Sequence, residues 1–411
     1  MATTPSIAMI PSGYKDEKVY SVLPTNGDGD FTFARTSTAT RVNSNGLIEE
    51  VGIGKPRLDY SDGACPSLLL EPTSTNKIQY SEDFSNAYWA KSGSSVAGGF
   101  VSPSGDTSAF KLVESASNGE HFVKHTSLTV ADDKYSFTIF AKAGGNSKLR
   151  VRGENFFDNV TGADFDLTAK TATNLSEGVN AKIVEISNGW FKCTFTSLSN
   201  GIVGNSGHFG IYLLDDNGDV SWLGDGTNGV YIYGAQLEQQ SYATSYIKTE
   251  GTVITRSADS ATGSGDSTVI NSTQGVLYFE GSALADEVLD RRISLSDGTL
   301  NNYVSIGYSR FTGKIIGEVV SGGVTQTTNW GAQGITQANN NKFALSWGGG
   351  TMKFYVNGTE TNTESATSPI GVDSLDFTAG DSNQPMFSNT KDLRVYTTAL
   401  TDAELTTLTT I

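Results

Sequence analysis

Apolar residues recur at every second position through long stretches of this chain. In Tyr135-Ser-Phe-Thr-Ile-Phe-Ala, the apolar Tyr135, Phe137 and Ile139 alternate with Ser136 and Thr138, the two-residue period of a pleated strand with one buried face. The same pattern predicts strands at 149–152, 165–167, 181–186, 190–195 and 209–213. Another runs from Val230 until Gly234-Ala235 breaks it. Later strands are predicted at 276–280, 303–308, 314–320, 343–347 and 352–356, the last closed by an Asn357-Gly358 hairpin turn. Helical signals are two: the Ala/Leu/Glu-rich run Leu284-Ala-Asp-Glu-Val-Leu-Asp-Arg-Arg around Glu287 and Asp290, a candidate short helix, and the C-terminus. There Thr401 and Glu404 form a capping box, Leu400 and Leu405 a hydrophobic staple, and a short helix is predicted from Asp402 with Leu405 and Leu408 facing the sheet.

Turn residues divide the chain. Residues 1–76 hold most of the prolines and little sustained alternation, although Phe31 and Phe33 share one strand face, and they are expected to form an extended arm. Residues 77–256 carry about eight strands and are expected to form a jelly roll. The Ser/Thr/Gly/Asp stretch 257–273 reads as a linker, and 274–411 as a second antiparallel sandwich. The fold class expected is therefore all-β: an arm followed by two antiparallel β-sandwiches.

Several motifs carry a resemblance. Asp30-Phe-Thr-Phe-Ala-Arg-Thr-Ser-Thr-Ala-Thr-Arg-Val with Asn45-Gly-Leu-Ile-Glu resembles a leader found before jelly rolls in bacteriophage tail and structural proteins. Tyr80-Ser-Glu-Asp-Phe-Ser-Asn-Ala-Tyr-Trp-Ala-Lys is similar to the opening of that jelly roll. Tyr233-Gly-Ala-Gln-Leu-Glu, Ala243-Thr-Ser-Tyr-Ile-Lys-Thr and Thr255-Arg-Ser-Ala-Asp resemble its exit, with Tyr233 where Trp is usual and Lys248 where Pro is usual. Met352-Lys-Phe-Tyr-Val-Asn-Gly and Arg394-Val-Tyr-Thr-Thr-Ala-Leu resemble the end of a laminin-G-like, concanavalin A-like sandwich. The resemblance implies a virion exterior protein, assembled in the host cytoplasm. It would be a tail fibre, spike or head fibre that touches host-surface polysaccharide and assembles as a homotrimer or another symmetric oligomer. Its arm, with Phe31, Phe33, Arg35 and Arg41, would dock on other virion proteins. Alternatives are a purely architectural decoration protein and a polysaccharide depolymerase.

Composition narrows this further. The 411 residues include 46 Gly and only 9 Pro, suited to short strands joined by many turns. With 28 basic against 44 acidic residues, a net of -16, phosphate contacts are disfavoured, so no nucleic acid is expected as a partner. No run is long enough for a transmembrane helix, and no membrane insertion is expected. The N-terminus lacks the basic and apolar regions of a secretory signal. Cys65 and Cys193 fit no ligand spacing, and Cys193, in an alternating strand, reads as a small buried apolar residue.

Catalytic chemistry finds little support. Glu280 and Glu318 stand singly on their strands, Glu287 and Asp290 read as a solvated pair, and no nucleophile elbow or phosphate-binding glycine loop occurs. No enzyme activity and no cofactor are expected. His121 and His125 lie in an alternating segment rather than on a helix, which weakens them as a metal pair. A structural Ca2+ is the exception considered, held by Asp215, Asn217 and Asp219, although the Asx turn is the simpler reading of that loop. Sugars stack on flat aromatic faces rimmed by hydrogen-bonding side chains. The loop tryptophans Trp222 and Trp330 are the carbohydrate candidates, with Tyr303, Asn302 and Gln333 as polar neighbours.

Overall fold

The strands keep the period read in the sequence, and each pairs antiparallel to bury its apolar face. A computed structural model describes residues 3–156, 161–197, 201–204, 206–287, 289–311, 314–329 and 334–411, with backbone only at 327–329. The chain divides into two compact units, and both are built from discontinuous segments.

One unit comprises Ala39–Glu50 and Thr73–Arg256. Among the described residues its first sheet runs Ala90–Ser92, Phe122–Thr129, Ser206–Leu214, Lys148–Glu154, Thr161–Asp166, Thr171–Asn174. Its second runs Ser94–Phe100, Ala109–Glu114, Gly229–Glu238, Ser136–Ala143, Phe191–Ser197, Val179–Glu185. Strands successive in the chain largely alternate between the sheets, which makes the unit a jelly roll. Its core takes Phe137, Ile139, Phe195, Phe209, Ile211 and Ile232 from facing strands, and Cys193 is buried there as expected. Gly234-Ala235 does not end its strand. The two residues form a bulge opposite Ile139, and the chain continues to Glu238. Gly234 adopts φ 65°, and a Cβ there would stand 2.9 Å from the Phe140 ring, so glycine is needed on both counts.

The other unit comprises Met1–Thr38, Val51–Pro72 and Ser257–Ile411. Its larger sheet centres on Asn341–Gly348, Gly275–Ala283 and Ser388–Tyr396, and its smaller runs Val324–Asn329, Ile315–Ser321, Tyr303–Tyr308, Arg291–Ser296, Ser374–Asp376. Phe279, Phe343 and Leu393 meet Ile293, Val304 and Ile306 between them. The helix Asp402–Thr409 starts at Thr401 with both bonds of the capping box, and Leu405 packs with Tyr278, Tyr355 and Tyr396 on the sheet's outer face.

Two sequence expectations need correction. Residues 1–76 do not form a separate arm: they are shared between the units, and Phe31 and Phe33 lie in the sandwich core at 0% and 1% exposure. Their strand, Phe31–Ala34, pairs with Ser260–Thr262, inside the stretch expected to be a linker. That stretch is structural for a second reason. Asp259, buried, binds Arg35 Nη1 at 3.0 Å and also Arg57, and it accepts the Glu71 amide at 2.8 Å, while Arg57 reaches Glu71 at 2.6 Å. Burial opposes the Arg57 charge, but Glu71 and Asp259 outweigh it and raise its pKa. Arg35, expected at a docking surface, is therefore an interior group. Arg41 pairs with Glu49 across the hairpin of Ala39–Val42 and Ile48–Val51.

Removing Asp259 would take a shared buried carboxylate away from the Arg35 and Arg57 guanidinium groups. Asp259→Ala is predicted to cost about 3–5 kcal/mol of this unit's stability in denaturant unfolding, the range for breaking a buried ion pair. A loss below about 1 kcal/mol, as for a surface pair, would contradict the network.

Candidate functional site

Fully buried Asn76 fixes the start of a segment on the jelly-roll unit. Its Nδ2 donates to the Ala235 and Ile247 carbonyls at 3.1 and 2.9 Å, and its Oδ1 accepts the Ile78 and Leu237 amides, both at 3.1 Å. Ile78 is buried in the core, so alternation turns Lys77 and Gln79 outward. Further on, Trp89 anchors the chain: it is buried, stands 5.0 Å from Phe84, and donates Nε1 to the Tyr80 carbonyl at 2.9 Å. The neighbouring Tyr88 is left half-buried at the surface.

Opposite Tyr88, the strand Phe122–Thr129 changes register. His125 pairs with Phe209 and Leu128 with Gly207, so Thr126 and Ser127 both stand across from His208. This bulge turns Leu128 into the core and leaves Ser127 and Thr129 exposed. Tyr88 and His125 stack, ring centroids 3.6 Å apart and 6° from parallel. The Tyr88 hydroxyl accepts the Gln79 amide at 3.4 Å, and burial pushes its pKa to about 12 against that bond. His125 Nδ1 lies 3.0 Å from the Tyr88 carbonyl, which can only accept, so Nδ1 carries the proton and Nε2 keeps the lone pair. Burial lowers the His125 pKa, the Tyr88 carbonyl opposes this, and nearby His208 adds to it. At neutral pH the ring is therefore an uncharged acceptor.

These residues line a cleft of about 400 Å³, with Lys77, Gln79, Ser127 and Thr129 as its polar wall and Leu128 and Val253 as its apolar wall. Val253 is 49% exposed. Ion pairs and a tilted Phe122–Tyr212 ring pair lie on the outer face of the same sheet. Glu154 accepts the Tyr212 hydroxyl at 2.8 Å and faces His208, Lys124 and Arg152 at 3.3, 3.5 and 3.5 Å. Burial raises the Glu154 pKa, but the hydrogen bonds to Tyr212 and His208 and the Lys124 and Arg152 cations outweigh it and hold the carboxyl below its ordinary range. Arg152 lies over the Tyr212 ring at 4.5 Å. The charged groups of this face pair mainly with one another, although the buried Arg152 Nε has no hydrogen-bond partner.

The residues singled out in the sequence lie elsewhere. Trp222, half-buried against the core edge, stands 4.4 Å from the His121 ring. His121 spends its nitrogens on the Gly93 and Trp222 carbonyls. Tyr303 belongs to the other unit, is buried, and donates to Glu318 at 2.6 Å, while Arg292 binds the same carboxylate. Asn302 staples three loops, donating to Asp297 at 2.9 Å and accepting the Gly322 and Ile370 amides at 3.0 and 3.2 Å. Trp330 and Gln333 lie outside the described residues. Asp215 spends its Oδ1 on the Asn217 and Asp219 amides at 2.9 and 2.8 Å, closing an Asx turn. Among the described residues no group of three or more His, Cys, Asp or Glu is placed to hold a metal ion. The segment after Ala283 is not helical at Glu287, which pairs with Arg291.

No family model matches the chain, and no curated protein matches it. Among solved structures it is similar to the CBM40 of the Ruminococcus gnavus IT-sialidase bound to alpha2,3 sialyllactose, at 18% identity over 36% of this chain and 93% of that one, TM-score 0.31. It is similar to Domain 4 of AbnA, a GH43 extracellular arabinanase from Geobacillus stearothermophilus, at 17% identity over 37% and 73%, TM-score 0.30. It is similar to the Caenorhabditis elegans galectin LEC-6 at 16% identity over 30% and 83%, TM-score 0.23. Likenesses this distant do not bear on what the chain binds.

The depressed His125 pKa links the site to stability. The unfolded chain, with histidine at 6.5, takes the proton before the folded one, so the stabilisation is complete above pH 6.5 and is lost as pH falls through the folded pKa. An NMR titration of the His125 ring should give a midpoint below 6.5, and a midpoint at or above that value would contradict the buried, neutral imidazole.

Proposed function

We propose that this chain is a non-enzymatic contact protein that holds a saccharide of a host surface in the Tyr88–His125 cleft. One observation carries the reading: a cleft of about 400 Å³, sized for a small ligand, sets an aromatic pair and apolar Leu128 and Val253 beside side chains with unused hydrogen-bonding capacity. Gln79, Ser127 and Thr129 make no side-chain hydrogen bond among the described residues, and His125 Nε2 offers a lone pair. Such a set suits a sugar ring, whose C–H face rests on apolar surface while its hydroxyls donate and accept at the rim. No carboxylate lines the cleft, so the paired acid and base of glycoside hydrolysis have no residues here.

The virion setting of the proposal rests on the leader and jelly-roll motifs, which resemble those of phage tail and structural proteins. Display in several symmetric copies would multiply a weak single-site affinity. Of the residues expected to dock on other virion proteins, Phe31, Phe33 and Arg35 are interior groups, so any such docking would not rest on them.

Binding of the full chain to immobilised host-surface polysaccharide tests the reading. Tyr88→Ala is predicted to weaken it at least about tenfold, roughly 1.4 kcal/mol. Gln79→Ala, at an exposed position, should weaken it without disturbing the fold. Trp222→Ala should leave affinity unchanged. Affinity indifferent to both cleft variants would overturn the proposal, and the absence of saccharide binding with retained attachment to particles would favour the architectural role.

A further inference from the structure

The charge of the cleft points to a narrower ligand class. We infer, on the reading that the cleft holds a saccharide, that this saccharide is acidic and sets its anionic group against Lys77. Lys77 is half-buried at the cleft wall and makes no ion pair among the described residues. Lysines on neighbouring elements are occupied. Lys91 donates to the Ser85 and Asn86 carbonyls, both at 3.1 Å, and Lys124 faces Glu154 at 3.5 Å. A lysine held at the wall of a cleft without a counter-ion leaves an unneutralised positive charge there, which an anionic ligand group would pair through a charge-assisted hydrogen bond.

The surroundings favour the same sign. Acidic residues outnumber basic ones 44 to 28 in the chain, yet no carboxylate lines this cleft. His125, uncharged and presenting Nε2, accepts from a hydroxyl and does not compete for the anion. One cation therefore fixes the orientation of the sugar, and the neutral groups read its hydroxyls. Discrimination follows from electrostatics: a neutral analogue leaves Lys77 unpaired, and the net charge of -16 offers no general attraction for an anion.

The test uses a glycan array of uronic-acid oligosaccharides, each paired with its carboxyl-reduced counterpart, and the full chain. Retention is expected on acidic members alone, reduced about tenfold or more in Lys77→Gln and weakened by added salt. Equal retention on acidic and reduced members, or retention unaffected by Lys77→Gln, overturns this inference and leaves the saccharide reading standing. Silence on both halves of every pair overturns the two together. Circular dichroism of Lys77→Gln, a substitution on an outward-facing side chain, confirms that any loss comes from the cleft.

Discussion

One register shift makes the site. In the strand Phe122–Thr129, two residues stand opposite His208 where regular pairing would place one. Unbroken alternation would carry the inward parity of Val123 and His125 on to Ser127, burying a hydroxyl and exposing Leu128. The bulge reverses this, keeping Leu128 in the core and freeing Ser127 and Thr129 for the surface. Just before it, His125 is covered by the Tyr88 ring and donates its Nδ1–H to the Tyr88 carbonyl. The exposed hydroxyls of the cleft follow from this local departure from regular pairing, and the His125 tautomer follows from the Tyr88 carbonyl.

Around it, the fold supplies rigidity from distant parts of the chain. Asn76 ties Lys77 and Gln79 to the carbonyls of Ala235 and Ile247, and Trp89 locks the turn that presents Tyr88. In the other unit Asp259 performs a comparable task with two arginines, binding an early strand segment to the later sandwich. Both anchors are buried polar side chains whose own polar atoms are hydrogen-bonded, the condition under which burial of such groups is tolerated.

Much of the fold was legible in the sequence. Alternation located the strands Tyr303–Tyr308 and Thr351–Val356 almost to the residue, and the capping box located the helix Asp402–Thr409. The pairing of Phe31 and Phe33 on one face was legible as well, but not what covers them, because their partner strand Ser260–Thr262 lies more than two hundred residues away in a polar stretch. Short strands with little apolar content give no periodic signal, so that stretch read as a linker and the N-terminal residues as an arm. The site was less legible still. His125 was visible as a strand residue, and Tyr88 as part of a jelly-roll opening, but alternation announces neither their stacking nor the bulge beside it. Loop tryptophans were the natural sequence candidates for sugar contact, yet Trp222 closes the core edge beside His121.

The account reduces to whether ligand enters the space between Tyr88, His125 and Lys77. Nuclear magnetic resonance on isotope-labelled protein, titrated with acidic oligosaccharide, addresses this directly. Perturbations centred on the His125 ring, the Gln79 side-chain amide and the Ser127 amide, with the Trp222 indole and Asn302 side chain unmoved, are what the account predicts. Perturbations centred on any other surface, with the His125 ring silent at saturation, would contradict it.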